Sequence, residues 1–179
     1  MKFLIPALVA VALLFGAFGA RCVTIRKDLV AERQVIDADW AQVEAALEAR
    51  GNIVTELTGL VQAEAPAEAG AILRANDACK LLSVAHNHQE KMQANAGLDN
   101  ALARLMLVVE GYPKLEASRR YGDLLEALKG AEDRIAVARR KYNEAIEHYN
   151  AGIELFPNNI VAAVARLGRI DAYFQTPAI

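Results

Sequence analysis

Histidines, cysteines and closely spaced carboxylates are the residues through which this chain would do chemistry, and their spacing argues against each route. His86-Asn87-His88 is the only close histidine pair. On a helix, residues two apart point about 200° away from each other, so the pair does not readily share one metal ion. His86 and Glu90 would lie on one helix face, but two ligands do not make a site. Glu147-His148 is adjacent and Glu144 stands four before His148. Neither is the Glu-x-x-His spacing with which helical bundles hold paired metals. Cys22 and Cys79 fit no metal spacing and no disulfide framework. Cys22 follows an apolar stretch, yet Arg21 occupies the preceding position, where lipoprotein processing needs a small residue. No phosphate-binding glycine loop, nucleophile elbow or Rossmann fingerprint is present. The sequence therefore predicts no catalytic, cofactor-binding or metal-binding residue, and no enzyme.

One repeated pair remains. Tyr142-Asn143 and Tyr149-Asn150 recur seven residues apart, two turns of a helix. They would serve either as a ladder that docks a partner or as core tyrosines whose hydroxyls reach the rim, with the asparagines bonding a neighbouring loop. Tyrosine suits such half-wet positions, which favours the second reading.

The elements that would position these residues are helices. Of the 179 residues, 54% are hydrophobic but only 6% aromatic; alanine supplies much of the apolar content and favours an all-α fold. From Leu29 a heptad runs through Arg33, Ile36, Trp40, Val43, Leu47, Arg50, Val54, Leu57 and Val61. This predicts one long helix from about Ile25 to Gln62, ended by Pro66. Arg33 is expected at an exposed edge, and Arg50 is expected to snorkel to solvent rather than pair with a carboxylate. A second helix is expected over Ala67–Gln93, with a break at Asn95-Ala96-Gly97. Leu98, Leu102, Leu105 and Val109 begin a new face, and Gly111-Tyr112-Pro113 marks a turn. A long helix over Leu115–Leu155 carries Leu124, Ala131, Ala138, Ala145 and Gly152 in one column. The other column holds Leu128, Ile135, Tyr142, Tyr149 and Phe156. Small residues facing large ones predict close helix approach. Phe156-Pro157-Asn158-Asn159 breaks this helix, and Asn159 is expected to cap a last one over Ile160–Phe174. The sum is an antiparallel, up-and-down bundle of four to five helices occupying residues 23–179.

Ahead of it, residues 1–22 read as a single transmembrane helix. Phe3 to Ala20 carries no charge over eighteen residues, the lower limit for a membrane span. Ala17-Phe18-Gly19 would also permit signal cleavage, but the length of the run and the helix that follows favour a retained anchor. Arg21, Arg26, Lys27 and Arg33 after the run, against Lys2 before it, lean the domain to the cytoplasmic side of a bacterial inner membrane. The net charge of −2 and the interspersed signs leave no basic patch for nucleic acid.

The most specific stretch runs from Arg139-Arg140-Lys141-Tyr142-Asn143 through Tyr149-Asn150 to Phe156-Pro157-Asn158-Asn159. It resembles the signature of the LemA family, paired Tyr-Asn elements followed by Phe-Pro-x-Asn. Ala38-Asp39-Trp40-Ala41-Gln42-Val43-Glu44 is similar to a second family block, and Tyr112-Pro113 matches the region between. The likeness spans about Leu29 to Phe174. Three positions depart from it: Arg26-Lys27 stands where the family carries Tyr-Asn, and Thr55-Glu56 replaces Pro-Asn. A Gly-Phe expected near Ala165-Arg166 is absent. The resemblance implies a membrane-tethered helical bundle, with relatives in magnetic bacteria that help form or organise organelle membranes, and it carries no catalytic residues. Trp40, Tyr112, Pro113, Tyr142, Asn143, Tyr149, Asn150, Phe156, Pro157 and Asn158 are its signature positions. The expected function is a self-associating scaffold that contacts the bilayer and envelope proteins. The alternative is an adaptor that binds one envelope protein through a helical groove, with Leu98–Val109 as the candidate stripe.

Overall fold

The computed structural model describes the backbone of residues 4–174 and the side chains of residues 16–174. The described residues form helices and no strand: α1 (Leu4–Glu64), a 3-10 turn (Pro66–Glu68), α2 (Ala69–Val84), α3 (His88–Glu110), α4 (Pro113–Glu116), α5 (Arg119–Glu154) and α6 (Asn158–Ala165). They divide into two compact units. The first holds Met1–Ala38 and Glu144–Asp171, the second Asp39–Asn143 and Ala172–Ile179.

In the second unit the contacts set the direction of every long helix. Along α1, Thr58 meets Asn76 of α2 and Gly51 meets Cys79, so α2 runs back against α1. Glu44 meets Lys91 and Arg50 meets Asn95, so α3 runs with α1. Trp40 meets Tyr142 and Arg50 meets Glu132, so α5 runs against it. The order is up, down, up, down, as short connections favour. The heptad supplies the core: Val43, Leu47, Val54, Leu57 and Val61 are all buried, with Leu98, Leu102, Leu105 and Val109 of α3. Each such side chain contributes about 1.5–3 kcal/mol by leaving water. Alanines 131 and 138 of α5 are buried as the small-residue column requires.

The first unit is built from the N-terminal part of α1, the end of α5, α6 and residues 166–171. Ile25, Leu29 and Ile36 of α1 are buried here, with Tyr149 of α5 and Val161 of α6. Gly152 belongs to the close approach of α5: a Cβ there would lie 3.4 Å from Glu32 Oε2.

Helix α1 is unbroken from Leu4 to Glu64 and takes in the whole helix expected over Ile25–Gln62, with Thr55 within it, its hydroxyl donating to the Gly51 carbonyl. Several other elements differ from expectation. The second helix stops at Val84 rather than Gln93, because Ala85 turns extended and Asn87 caps a new helix by accepting the Glu90 amide. Glu90 Oε2 in turn accepts the His86 amide, a variant of the capping box. No break occurs at Asn95-Ala96-Gly97, which α3 crosses. Its N-terminal cap lies upstream, and an interior glycine costs only about 1 kcal/mol. The last helix ends at Ala165, with Arg166 in the left-handed region (φ 56°), instead of continuing to Phe174. Arg50 does not snorkel; it is 4% exposed and pairs with carboxylates. Phe156 fills no core column, since it lies beyond the end of α5 and is 76% exposed.

No helix among the described residues is long and apolar enough to cross a membrane. The run Phe3–Ala20, on which a transmembrane helix was expected, falls mostly outside the side chains described. The expected division into an anchor at 1–22 and a domain at 23–179 rests on that same run.

Candidate functional site

The Tyr-Asn pairs of α5 do one job twice, once in each unit. In the first unit the Tyr149 hydroxyl donates to the Gly168 carbonyl at 3.1 Å. Asn150 grips one residue by both backbone groups: its Nδ2 donates to the Ile170 carbonyl at 2.7 Å and its Oδ1 accepts the Ile170 amide at 2.9 Å. In the second unit the Tyr142 hydroxyl donates to the Ala172 carbonyl at 2.8 Å. Asn143 grips Phe174 in the same two-handed way, at 3.1 and 2.9 Å. Residues 168–174 form no strand or helix, so these side chains supply the hydrogen bonds that secondary structure would otherwise provide. Both tyrosine rings are buried, and burial pushes the Tyr149 phenol above its usual range, with Arg33 opposing and Glu32 adding to the shift.

Around the second clasp lies an aromatic recess. Trp40 packs against His88 (3.9 Å between ring centroids), Tyr142 (5.1 Å) and Phe174 (6.4 Å). The Arg139 guanidinium lies 5.9 Å from the centre of the Phe174 ring, within cation–π range. Phe174 is 4% exposed. The first unit has a matching basic contact, Arg33 at 6.0 Å from the Tyr149 ring.

A charge cluster around one buried arginine sits elsewhere in the second unit. Arg50 Nη2 lies 2.6 Å from Asp99 and 3.4 Å from Glu132, while Nη1 donates to Asn95 Oδ1 at 2.8 Å. Its Nε has no partner. Three helices converge on one guanidinium, which suits a packing role: every carboxylate there is engaged by arginine. Cys79, beside Gly51 and Thr55, has its thiol pushed up by burial and is held back from the thiolate. Among the described residues no three His, Cys, Asp or Glu side chains are grouped to hold a metal ion.

Of the signature positions, Trp40, Tyr142 and Asn143 come together in the second unit, and Tyr149, Asn150 and Asn158 lie in the first. Asn158 donates to the Gly152 carbonyl and closes the turn after α5, and Pro157 stands at the head of α6. Tyr112 is apart from them: its hydroxyl donates to Glu68, and Pro113 opens α4. Phe156 contacts solvent. The histidine pair is not helical throughout, since His86 precedes the cap and His88 is the first residue of α3. Phe174 and Asp99 were not singled out from sequence, and His88 was weighed there only as a metal ligand. Phe174 lies 31 residues from Asn143 with no periodic signal joining them.

Residues 39–178 match the LemA family. The chain is 36% identical over 99 residues to magnetosome protein MamQ 2 of Paramagnetospirillum magneticum, and 32% over 99 residues to magnetosome protein MamQ of Magnetospirillum gryphiswaldense. Each match covers 55% of this chain and 36% of the relative, so the chain spans about a third of the length of the curated relatives it matches. With the family match covering most of the sequence, both Tyr-Asn clasps included, the chain belongs to the LemA family.

Proposed function

We propose that this chain is a membrane-anchored, non-enzymatic helical scaffold whose copies associate at a bacterial inner membrane and organise lipid or envelope partners there. The observation that carries the reading is the continuity of α1. One unbroken helix, Leu4–Glu64, contains both the uncharged run from Leu4 to Ala20 and the heptad that forms the core. A span continuous with a packed helix would couple the domain directly to the bilayer, without a flexible linker. Family membership and the magnetosome naming of the relatives support membrane association. The basic residues after the run favour a cytoplasmic domain. Tethering also raises local concentration, so weak lateral contacts suffice for assembly.

The test compares the full-length protein, extracted in mild detergent, with a version starting at Val23. A defined assembly that needs residues 1–22 is the expected result. Two monomers would reject the scaffold.

A second reading, an adaptor for an envelope protein, is favoured by one surface of the first unit. The stripe anticipated on α3 is taken up by the core, but Leu155 and Phe156 ahead of α6 and Ile160 and Val164 along it are all exposed. Four exposed large apolar residues in one ten-residue stretch suit a helical partner. Cross-linking from position 156 that recovers a defined envelope protein would favour this reading.

A further inference from the structure

The recess in the second unit has the form of a peptide-binding site. Asn143 reads the amide and carbonyl of one residue, the Tyr142 hydroxyl reads the carbonyl two residues earlier, and a single ring enters beside Trp40. Backbone contacts at every second residue are how an extended segment is recognised, and the aromatic slot sets its one side-chain preference. Ala172 is exposed, and Phe174 is the buried ring that enters the recess.

We propose that Trp40, Arg139, Tyr142 and Asn143 form a binding site for an extended, aromatic-bearing peptide segment, filled here by the chain's own residues 172–174, and that its other occupant is the same tail of a second copy. The contacts to Ala172 and Phe174 depend only on the tail's backbone and one ring. They are the same whichever copy supplies the tail, which is the condition for exchange between protomers. Gly168 and Ile170 are held by Tyr149 and Asn150 in the first unit, so the part exchanged is the stretch after the exposed Asp171. This deepens the self-association proposed above, on which the choice of a second copy rests, by naming the element exchanged.

The test uses full-length protein in mild detergent and a labelled synthetic peptide of residues 166–179. Phe174→Ala empties the ring slot without touching a helix, and unchanged helical content with retained amide protection in the middle of α3 confirms folding. The peptide is expected to bind the Phe174→Ala protein saturably and the wild type roughly tenfold or more weakly, because the resident tail leaves few sites vacant. Adding Asn143→Ala, or replacing the phenylalanine of the peptide, should abolish binding. Absent binding, or equal binding to the proteins with and without Asn143, overturns the site. Exchange is read separately, by co-purification of two differently tagged wild-type copies that is lost with Phe174→Ala. If the peptide binds but the copies never co-purify, the second-copy occupant is overturned while the site stands. If the copies co-purify regardless of Phe174 and the peptide does not bind, tail exchange is overturned and the scaffold survives by another contact.

Discussion

Replacing Asn150 by alanine should free the segment around Ile170, and the size of the effect can be worked from its two bonds. Asn150 is 3% exposed and holds the Ile170 amide and carbonyl at 2.9 and 2.7 Å. A net hydrogen bond contributes about 0.5–1.5 kcal/mol, so the pair is worth roughly 1–3 kcal/mol. Ile170 is half-buried, and water can satisfy its backbone once released, which places the loss near 2 kcal/mol. Alanine offsets this by about 0.6 kcal/mol as the better helix former inside α5. The expected net destabilisation is therefore about 1.5 kcal/mol, about a tenfold change in the folding constant. Urea unfolding of the full-length protein in mild detergent, followed by the emission of its single tryptophan, measures it. Hydrogen exchange adds a local readout, since the Ile170 amide should lose protection while amides in the middle of α3 keep theirs. Asn150→Asp keeps the acceptor and removes the donor, so the Ile170 amide should stay partly protected. If Asn150→Ala left stability unchanged or raised it, with the Ile170 amide still protected, the clasp would not be what holds the tail.

Three further outcomes follow from the same structure. Asp99→Ala should destabilise more than Arg50→Met, because the first takes the nearest carboxylate from a buried guanidinium and leaves it only Glu132 at 3.4 Å and Asn95, while the second removes the charge and leaves two exposed carboxylates that water can satisfy; denaturation of the two variants side by side checks the order. The His86 and Asn87 contacts hold the Glu90 carboxyl below its ordinary range, so its stabilisation is present above the unfolded value and is lost as pH falls through the lower folded one. The stability difference between wild type and Glu90→Gln should therefore shrink in acid. Burial raises the Tyr149 phenol, so its stabilisation is complete below the unfolded value near pH 10 and is lost as pH rises through the higher folded value. Tyr112 and Tyr121 are raised as well, so absorbance titration should show one fewer phenol ionising late in Tyr149→Phe, and an unchanged number of late phenols would refute the assignment.

Local periodicity carried much of the helical architecture. The heptad from Leu29 to Val61, the Gly111-Tyr112-Pro113 turn and the break at Phe156-Pro157 are written in spacing, proline and propensity, which act over a few residues and so are visible in one strand of text. The family likeness was legible for the same reason, because its Tyr-Asn pairs lie one heptad apart. What those pairs hold was not legible. Residues 166–174 contain good helix formers, and only tertiary structure decides against a helix. Two asparagines and two tyrosines on α5 offer the tail's backbone bonds that compete with its own, and Trp40 offers Phe174 a place out of water. Arg50 went the same way: its position in the seam was plain, but its burial depends on Asn95, Asp99 and Glu132 arriving from two other helices. A lone arginine reads as one that must reach solvent, since the partners that make burial tolerable lie 45 to 82 residues away and announce themselves by no periodicity.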